Sequence, residues 1–77
     1  MVEAAQRQLA AIRALEQDGR LRELGPKLYA AAMARLENPE ANLTELGQMM
    51  EPPVTKSTMN HRLKQVTAMA REKEALG

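Results

Sequence analysis

Glycine and proline divide this chain into four segments, each with the apolar spacing of an amphipathic helix. The breaks fall at Asp18-Gly19, Gly25-Pro26, Asn38-Pro39 and Pro52-Pro53. Glycine accepts the left-handed conformation common just past a helix terminus, and proline cannot continue a helix. Between the breaks, apolar residues recur at intervals of three and four, which is typical of helices that bury one face.

The apolar composition also favours helices. Ala, Leu and Met dominate it, and Tyr29 is the only aromatic residue. These residues lose little rotamer freedom in a helix, whereas the β-branched and aromatic residues that build sheets are scarce. We predict an all-α, four-helix fold that forms one domain over residues 1–77.

The first two segments predict helices over residues 3–17 and 26–37. Their inward stripes are Ala5, Leu9, Ile12 and Leu15 in the first helix, and Leu28, Ala32, Met33 and Leu36 in the second. Pro26 suits the first helical position, because its missing N–H would be unpaired there anyway. Leu21 and Leu24 are expected to anchor the connector on the core.

The last two segments predict a short helix, a proline turn and a longer helix. Asn42 can cap the short helix, with Glu45 completing a capping box, and Val54 is expected to fill the corner inside the turn. The longer helix is predicted over residues 55–71, with Thr55 or Ser57 as its cap. Its buried stripe, at about 100° per residue, is Met59, Leu63, Val66 and Ala70.

The outward face of this last helix is polar and free of acids. Residues 1–51 carry six basic and eight acidic side chains, whereas residues 52–77 carry five basic and two acidic ones. The four basic residues between Val54 and Arg71 have no acidic residue among them. A polyanion is therefore expected to bind here.

A short helix, a turn and a second helix with an exposed polar face are typical of the DNA-binding helix-turn-helix. Base edges require hydrogen-bonding side chains of mixed length, and the candidates are Ser57, Thr58, Asn60, His61, Lys64 and Gln65. The residues best placed for backbone phosphates, which position a protein without specifying sequence, are Lys56, Arg62 and Arg71. The predicted partner is double-stranded DNA.

Simpler interpretations stay open for the same residues, and an enzyme is not supported. A polar helix face is often only solvated surface, and the methionines are more typical of an adaptable core than of a cofactor site. His61 has no second histidine or cysteine with which to bind a metal. Glu37 and Glu40 lie in a turn, without the apolar pocket that acid–base catalysis needs. We predict no catalytic residue, no metal and no cofactor.

The sequence also lacks the features of an exported or membrane-spanning chain. Its longest apolar run, residues 28–34, is far shorter than the ~20 residues of a membrane span, and no signal segment follows Met1. The chain has no cysteine, which suits a reducing compartment. We expect a cytoplasmic, nucleoid-associated protein that is a monomer or a weak dimer.

Most of the chain resembles the C-terminal domain of the WhiA family, bacterial transcription regulators of sporulation and cell division. The resemblance is carried by residues 4–12 (AAQRQLAAI), by 35–43 (RLENPEANL) with 45–47 (ELG), and by 52–57 (PPVTKS) with 60–63 (NHRL). It implies a helix-turn-helix similar to region 4 of bacterial sigma factors. The implied DNA contacts are Thr55, Lys56, Ser57, Asn60, His61, Arg62 and Lys64.

In that family a separate N-terminal domain resembles LAGLIDADG homing endonucleases without their catalysis, so this chain is expected to be an excised C-terminal piece. We interpret it as a sequence-specific DNA-binding module of a regulator of sporulation or cell division. The alternative is a protein-interaction module that docks on RNA polymerase or a sigma factor. Such a module would need an exposed apolar anchor, for which Tyr29 and the connector over residues 21–24 are the candidates.

Overall fold

The computed structural model describes residues 2–76, and it places side chains from residue 5 to residue 71. The helices are α1 over Val2–Gln17, α2 over Gly25–Glu37, α3 over Leu43–Gln48 and α4 over Lys56–Leu76, with a 3-10 helix at Leu21–Leu24. No strand occurs within residues 2–76, so the predicted all-α, four-helix class is confirmed. No helix in this range is long and apolar enough to cross a membrane.

The helix bounds follow the sequence breaks closely, except at the end of α4. Helices α1 and α2 each begin one residue before the predicted position, and both end where predicted. Helix α4 begins at Lys56 and continues to Leu76, five residues past the predicted end at Arg71. The extra residues contain no glycine or proline that would end a helix.

Helix α4 packs against all three other helices and contributes to two separate apolar clusters. The first cluster, here called the α1 core, consists of Ala11, Ile12, Leu15, Leu24, Ala32, Val66 and Ala70. The second, the α3 core, consists of Ala31, Leu46, Met50, Met59 and Leu63. The predicted inward stripe of α4 is therefore confirmed, and its two halves belong to different clusters.

Part of the predicted inward stripes of α1 and α2 is only half-buried, although Leu28 and Leu36 pack against the α1 core as predicted. In α1, Ile12 and Leu15 are fully buried as expected, but Ala5 and Leu9 are only half-buried. In α2 the buried residues are Ala31, Ala32 and Arg35, whereas Leu28, Met33 and Leu36 are half-buried. The reason is that α2 lies between the two cores, with Ala31 in one and Ala32 in the other.

Arg35 is buried, with only 3% of its surface exposed, and it connects three parts of the chain. Its Nε donates to Oε1 of Gln8 in α1 (3.0 Å), and its Nη1 donates to the carbonyl oxygens of Pro39 (3.2 Å) and Ala41 (2.8 Å). Desolvation lowers the pKa of this guanidinium from its ordinary value. The side chain thus fixes the loop between α2 and α3 against α1.

Candidate nucleic-acid interface

The turn between α3 and α4, residues 49–55, is held close to α3 by Gly47. The Gly47 carbonyl oxygen accepts hydrogen bonds from Val54 N (2.9 Å) and from Met50 N (3.2 Å). A Cβ atom at Gly47 would overlap the Val54 carbonyl oxygen and lie 3.3 Å from the Val54 carbonyl carbon. Only glycine permits this close approach of the Gly47 and Val54 main chains. The approach determines where α4 begins relative to α3.

Two further features define the turn. Val54 is half-buried against the α3 core, which confirms its predicted place in the corner. The Glu51–Pro52 peptide bond in the same turn is cis. At the other end of α3, Asn42 and Glu45 form the predicted capping box, with Asn42 Oδ1 accepting from Glu45 N (2.8 Å) and Glu45 Oε1 accepting from Asn42 N (3.0 Å).

Thr55 caps α4, one of the two caps expected from the sequence. Its Oγ1 accepts a hydrogen bond from Thr58 N (3.2 Å), and the two threonine hydroxyls are 3.1 Å apart in a second hydrogen bond. This arrangement satisfies an otherwise unpaired N–H of the first turn. Thr55 and Thr58 therefore have a structural task in starting the helix, beside any contact with a ligand.

Nine of the ten predicted contact residues lie together on the cap and the first three turns of α4, and the tenth, Arg71, is exposed further along the same helix. Of the nine, six are exposed, and these are Thr55, Lys56, Ser57, His61, Lys64 and Gln65. Three are half-buried, and these are Thr58, Asn60 and Arg62. Met59 and Leu63 are fully buried between them, so the helix turns its polar face outward, in the orientation predicted.

The polar face of α4 has two different sides. On one side, Asn60 and Lys64 line a groove against α1, together with Arg7. Lys56 and Asn60 also line a second hollow, which α1 and the α2–α3 loop close. Arg62 lies about 200° around the helix from Asn60, at about 100° per residue, and so belongs to the opposite side.

Three residues near this face were not predicted from the sequence, namely Arg7, Gln8 and Arg35. Arg35 follows the buried Ala31 and Ala32 at helical spacing, so its position on the inward face was detectable. Gln8 contacts Arg35 across 27 positions of the chain, and Arg7 approaches α4 only through tertiary packing. No local pattern marks either of them.

The described residues form no group of three His, Asp or Glu side chains that could hold a metal ion. Glu37 and Glu40 are both exposed. The positive and amide groups on the polar face of α4 can instead donate hydrogen bonds to anionic oxygens and to base edges.

The profile of the WhiA C-terminal HTH domain matches residues 1–70. Three curated relatives share the name "Probable cell division protein WhiA". The protein of Lactococcus lactis subsp. cremoris (strain MG1363) is 46% identical over 65 residues, 84% of this chain and 21% of the relative. That of Symbiobacterium thermophilum is 44% identical over 72 residues, covering 94% and 23%. That of Clostridium perfringens (strain SM101) is 45% identical over 71 residues, covering 92% and 22%.

The match thus spans between a fifth and a quarter of these relatives' length. No solved structure matches the chain. Because the family profile covers nearly all of it, this chain belongs to the family of WhiA C-terminal helix-turn-helix domains.

Proposed function

We propose that this domain binds double-stranded DNA sequence-specifically, with α4 in the major groove. The observation that carries the proposal is the outward face of α4, which combines exposed hydrogen-bonding side chains with the absence of acids from Val54 to Arg71. Ordinary solvated surfaces mix both signs of charge. The close approach of Gly47 to Val54 and the Thr55 cap together fix the position at which α4 begins.

The position of each side chain suggests its role on DNA. His61 is exposed at the second turn of α4 and does not line the groove beside α1, so it is the favoured contact for a base edge. Lys56 and Arg62 lie at the borders of the outward face and suit phosphates on either side of the helix. Lys64 is exposed but lines the α1 side, which allows a base or a phosphate contact.

We further propose that this domain supplies DNA contacts to a longer regulator of cell division or sporulation. The supporting fact is that the relatives named as cell division proteins are about four to five times as long as the matched region. Single helix-turn-helix modules bury limited surface on DNA. Binding by residues 1–77 alone is therefore expected to be weak and strongly dependent on salt.

The alternative, a module that docks on RNA polymerase or a sigma factor, retains one of its two candidate anchors, Tyr29, and loses the connector over residues 21–24. Leu24 is buried and Leu21 packs against the α1 core, so the connector offers no exposed apolar side chain as an anchor. Tyr29 (43% exposed) and Met49 (46% exposed) are the large apolar side chains that remain accessible among residues 5–71. Measuring whether the protein binds a DNA duplex distinguishes the two functions.

A preferred duplex would first be selected from a random library, and binding would then be followed by fluorescence anisotropy at several salt concentrations. Lys56→Ala and Arg62→Ala should weaken binding to the preferred and scrambled duplexes alike, and each should lower the salt slope by about one unit. His61→Ala should cost about 1–3 kcal/mol on the preferred duplex and less on the scrambled one. Lys64→Ala should follow one pattern or the other.

The matched control is Arg13→Ala, which removes an exposed cation of α1 outside the groove and hollow and should leave both affinities unchanged. If the parent protein selects no duplex, or if all four α4 variants bind like the parent, DNA binding by this face is wrong. Binding to RNA polymerase or a sigma factor by a protein that selects no duplex would favour the alternative.

A further inference from the structure

A groove runs between α1 and α4 beside the polar face, and it is here called the α1–α4 groove. Its polar lining consists of Arg7 and Gln8 from α1, and Asn60, Lys64, Thr67 and Arg71 from α4. The remaining lining residues are five alanines. Because these side chains are small, the groove stays open between the two helices.

The α1–α4 groove is electropositive. Arg7, Lys64 and Arg71 all line it, and no carboxylate does so among residues 5–71. None of these three cations forms a salt bridge within that range; the salt bridge found there joins Arg20 and Glu23, outside the groove (3.5 Å). Three cations that line one open groove, with no carboxylate among its lining residues from 5 to 71, complement an anionic ligand.

The amide of Gln8 adds to this preference for anions. Its Oε1 accepts the hydrogen bond from Arg35 Nε, so the acceptor end of the amide is already occupied. The Nε2 donors of Gln8 have no partner among residues 5–71. The wall contributed by α1 therefore offers hydrogen-bond donors together with the charge of Arg7.

The location of the groove indicates which anion it receives. A helix in the major groove has a phosphate backbone on either side of it. Arg62 lies on one side of α4, and the α1–α4 groove, with Asn60 and Lys64, lies on the other. A duplex that meets His61 at the outward face would thus bring one of its strands toward the groove.

We propose that the α1–α4 groove holds the sugar-phosphate backbone of one DNA strand and that Arg7, outside the helix-turn-helix, contacts a phosphate there. This inference rests on the proposed DNA binding and extends its interface to α1. Arg7 then belongs to the interface as a phosphate-contacting residue without sequence preference. Arg71 and Lys64 face the same strand from α4.

The first test compares Arg7→Ala with Arg13→Ala in salt titrations on the preferred and scrambled duplexes. Each lost phosphate contact lowers the salt slope by about 0.9, which corresponds to about a 3.5-fold change in relative affinity between about 50 and 200 mM salt. Arg7→Ala should show this change on both duplexes, and Arg13→Ala should not. Equal slopes for the two variants would overturn the proposal.

The second test adds charge at Ala10, an exposed groove residue of α1. Lysine and glutamate are both good helix formers, so Ala10→Lys and Ala10→Glu should fold alike, as circular dichroism can verify. Ala10→Lys should tighten binding to both duplexes, and Ala10→Glu should weaken it, each by about threefold. Identical affinities for this pair would contradict a strand in the groove, even if Arg7→Ala proved unstable.

The outcomes separate this inference from the proposed function. If the Lys56 and Arg62 variants weaken binding while the Arg7 and Ala10 variants leave it unchanged, DNA binding stands and the groove contact is wrong. If the parent binds no duplex, the proposed function itself fails. A polyglutamate peptide serves as a competitor, and an effect of Arg7→Ala on that peptide but not on DNA would assign the groove to acidic protein segments and overturn the proposal.

Discussion

Replacing Gly47 by alanine sets two physical effects against each other. Alanine is favoured over glycine inside a helix by at most about 1 kcal/mol, so helix propensity alone predicts a more stable domain. The added Cβ, however, would overlap the carbonyl oxygen of Val54 and lie 3.5 Å from that of Thr55. These obstacles are main-chain atoms, which cannot rotate away as the end of a flexible side chain can.

The packing effect is expected to be the larger one. Overpacking costs about 1–3 kcal/mol, and a main-chain obstacle places this site at the upper end of that range. Moving the Val54 carbonyl also strains the hydrogen bond from Val54 N to Gly47 O (2.9 Å), worth about 1 kcal/mol. After subtracting the gain in propensity, we expect a net loss of about 2–3 kcal/mol. That corresponds to a fall in Tm of roughly 10–20 °C for a domain of this size.

Urea and thermal unfolding, followed by far-UV circular dichroism, measure this loss. Gln48→Ala is the matched control, because Gln48 is the exposed neighbour in the same helix, and its change should stay within about 0.5 kcal/mol. A Gly47→Ala variant as stable as the parent, or more stable, would refute the steric argument and show that the turn can move away from α3. The duplex affinity of the variant should also fall, because the turn positions α4.

Three other substitutions test separate parts of the fold by the same unfolding measurements. Leu63→Ala should cost about 2–5 kcal/mol, because Leu63 is fully buried in the α3 core; an unchanged Tm would mean that α4 is rotated. Asn42→Ala should cost about 1 kcal/mol through loss of the capping box, and full stability would show that the cap is dispensable. Arg35→Met should cost about 1–3 kcal/mol by leaving partly buried carbonyl acceptors unpaired, whereas equal stability would indicate that water replaces the guanidinium.

Local patterns predicted most of the fold because local rules determine most of it. The inward residues of α4, from Met59 to Ala70, follow from helical spacing, and Asn42 with Glu45 follows from capping chemistry. The buried residues of α2 differed from the predicted ones because a periodic stripe specifies one buried face, whereas this helix packs against two clusters. The end of α4 differed from its predicted position because the charged composition after Arg71 suggested a frayed terminus. The segment contains no glycine or proline, so the helix continues.

The residues of the candidate site also include some that local sequence patterns could predict and some that they could not. The outward face of α4, with His61 and Lys64, could be predicted because it is the complement of a buried stripe on one helix. Arg7 and Gln8 could not be predicted, because their distance from α4 depends on how α1 packs against it. The spacing of residues along the chain gives no information on that packing. In sequence Gly47 is only a glycine within a short helix, and its close approach to Val54 depends on how the turn folds back on α3. The DNA contacts themselves remain predictions.

The division of α4 between two apolar clusters has a consequence for protein engineering. A minimal helix-turn-helix cut at Gly25 would keep the α3 core, but it would expose Val66 and Ala70 by removing their α1 partners. It would also deprive Arg35 of Gln8. The proposed DNA specificity is therefore not expected to be portable as α2, α3 and α4 without α1, and a chimeric protein that borrows it should carry the whole four-helix unit.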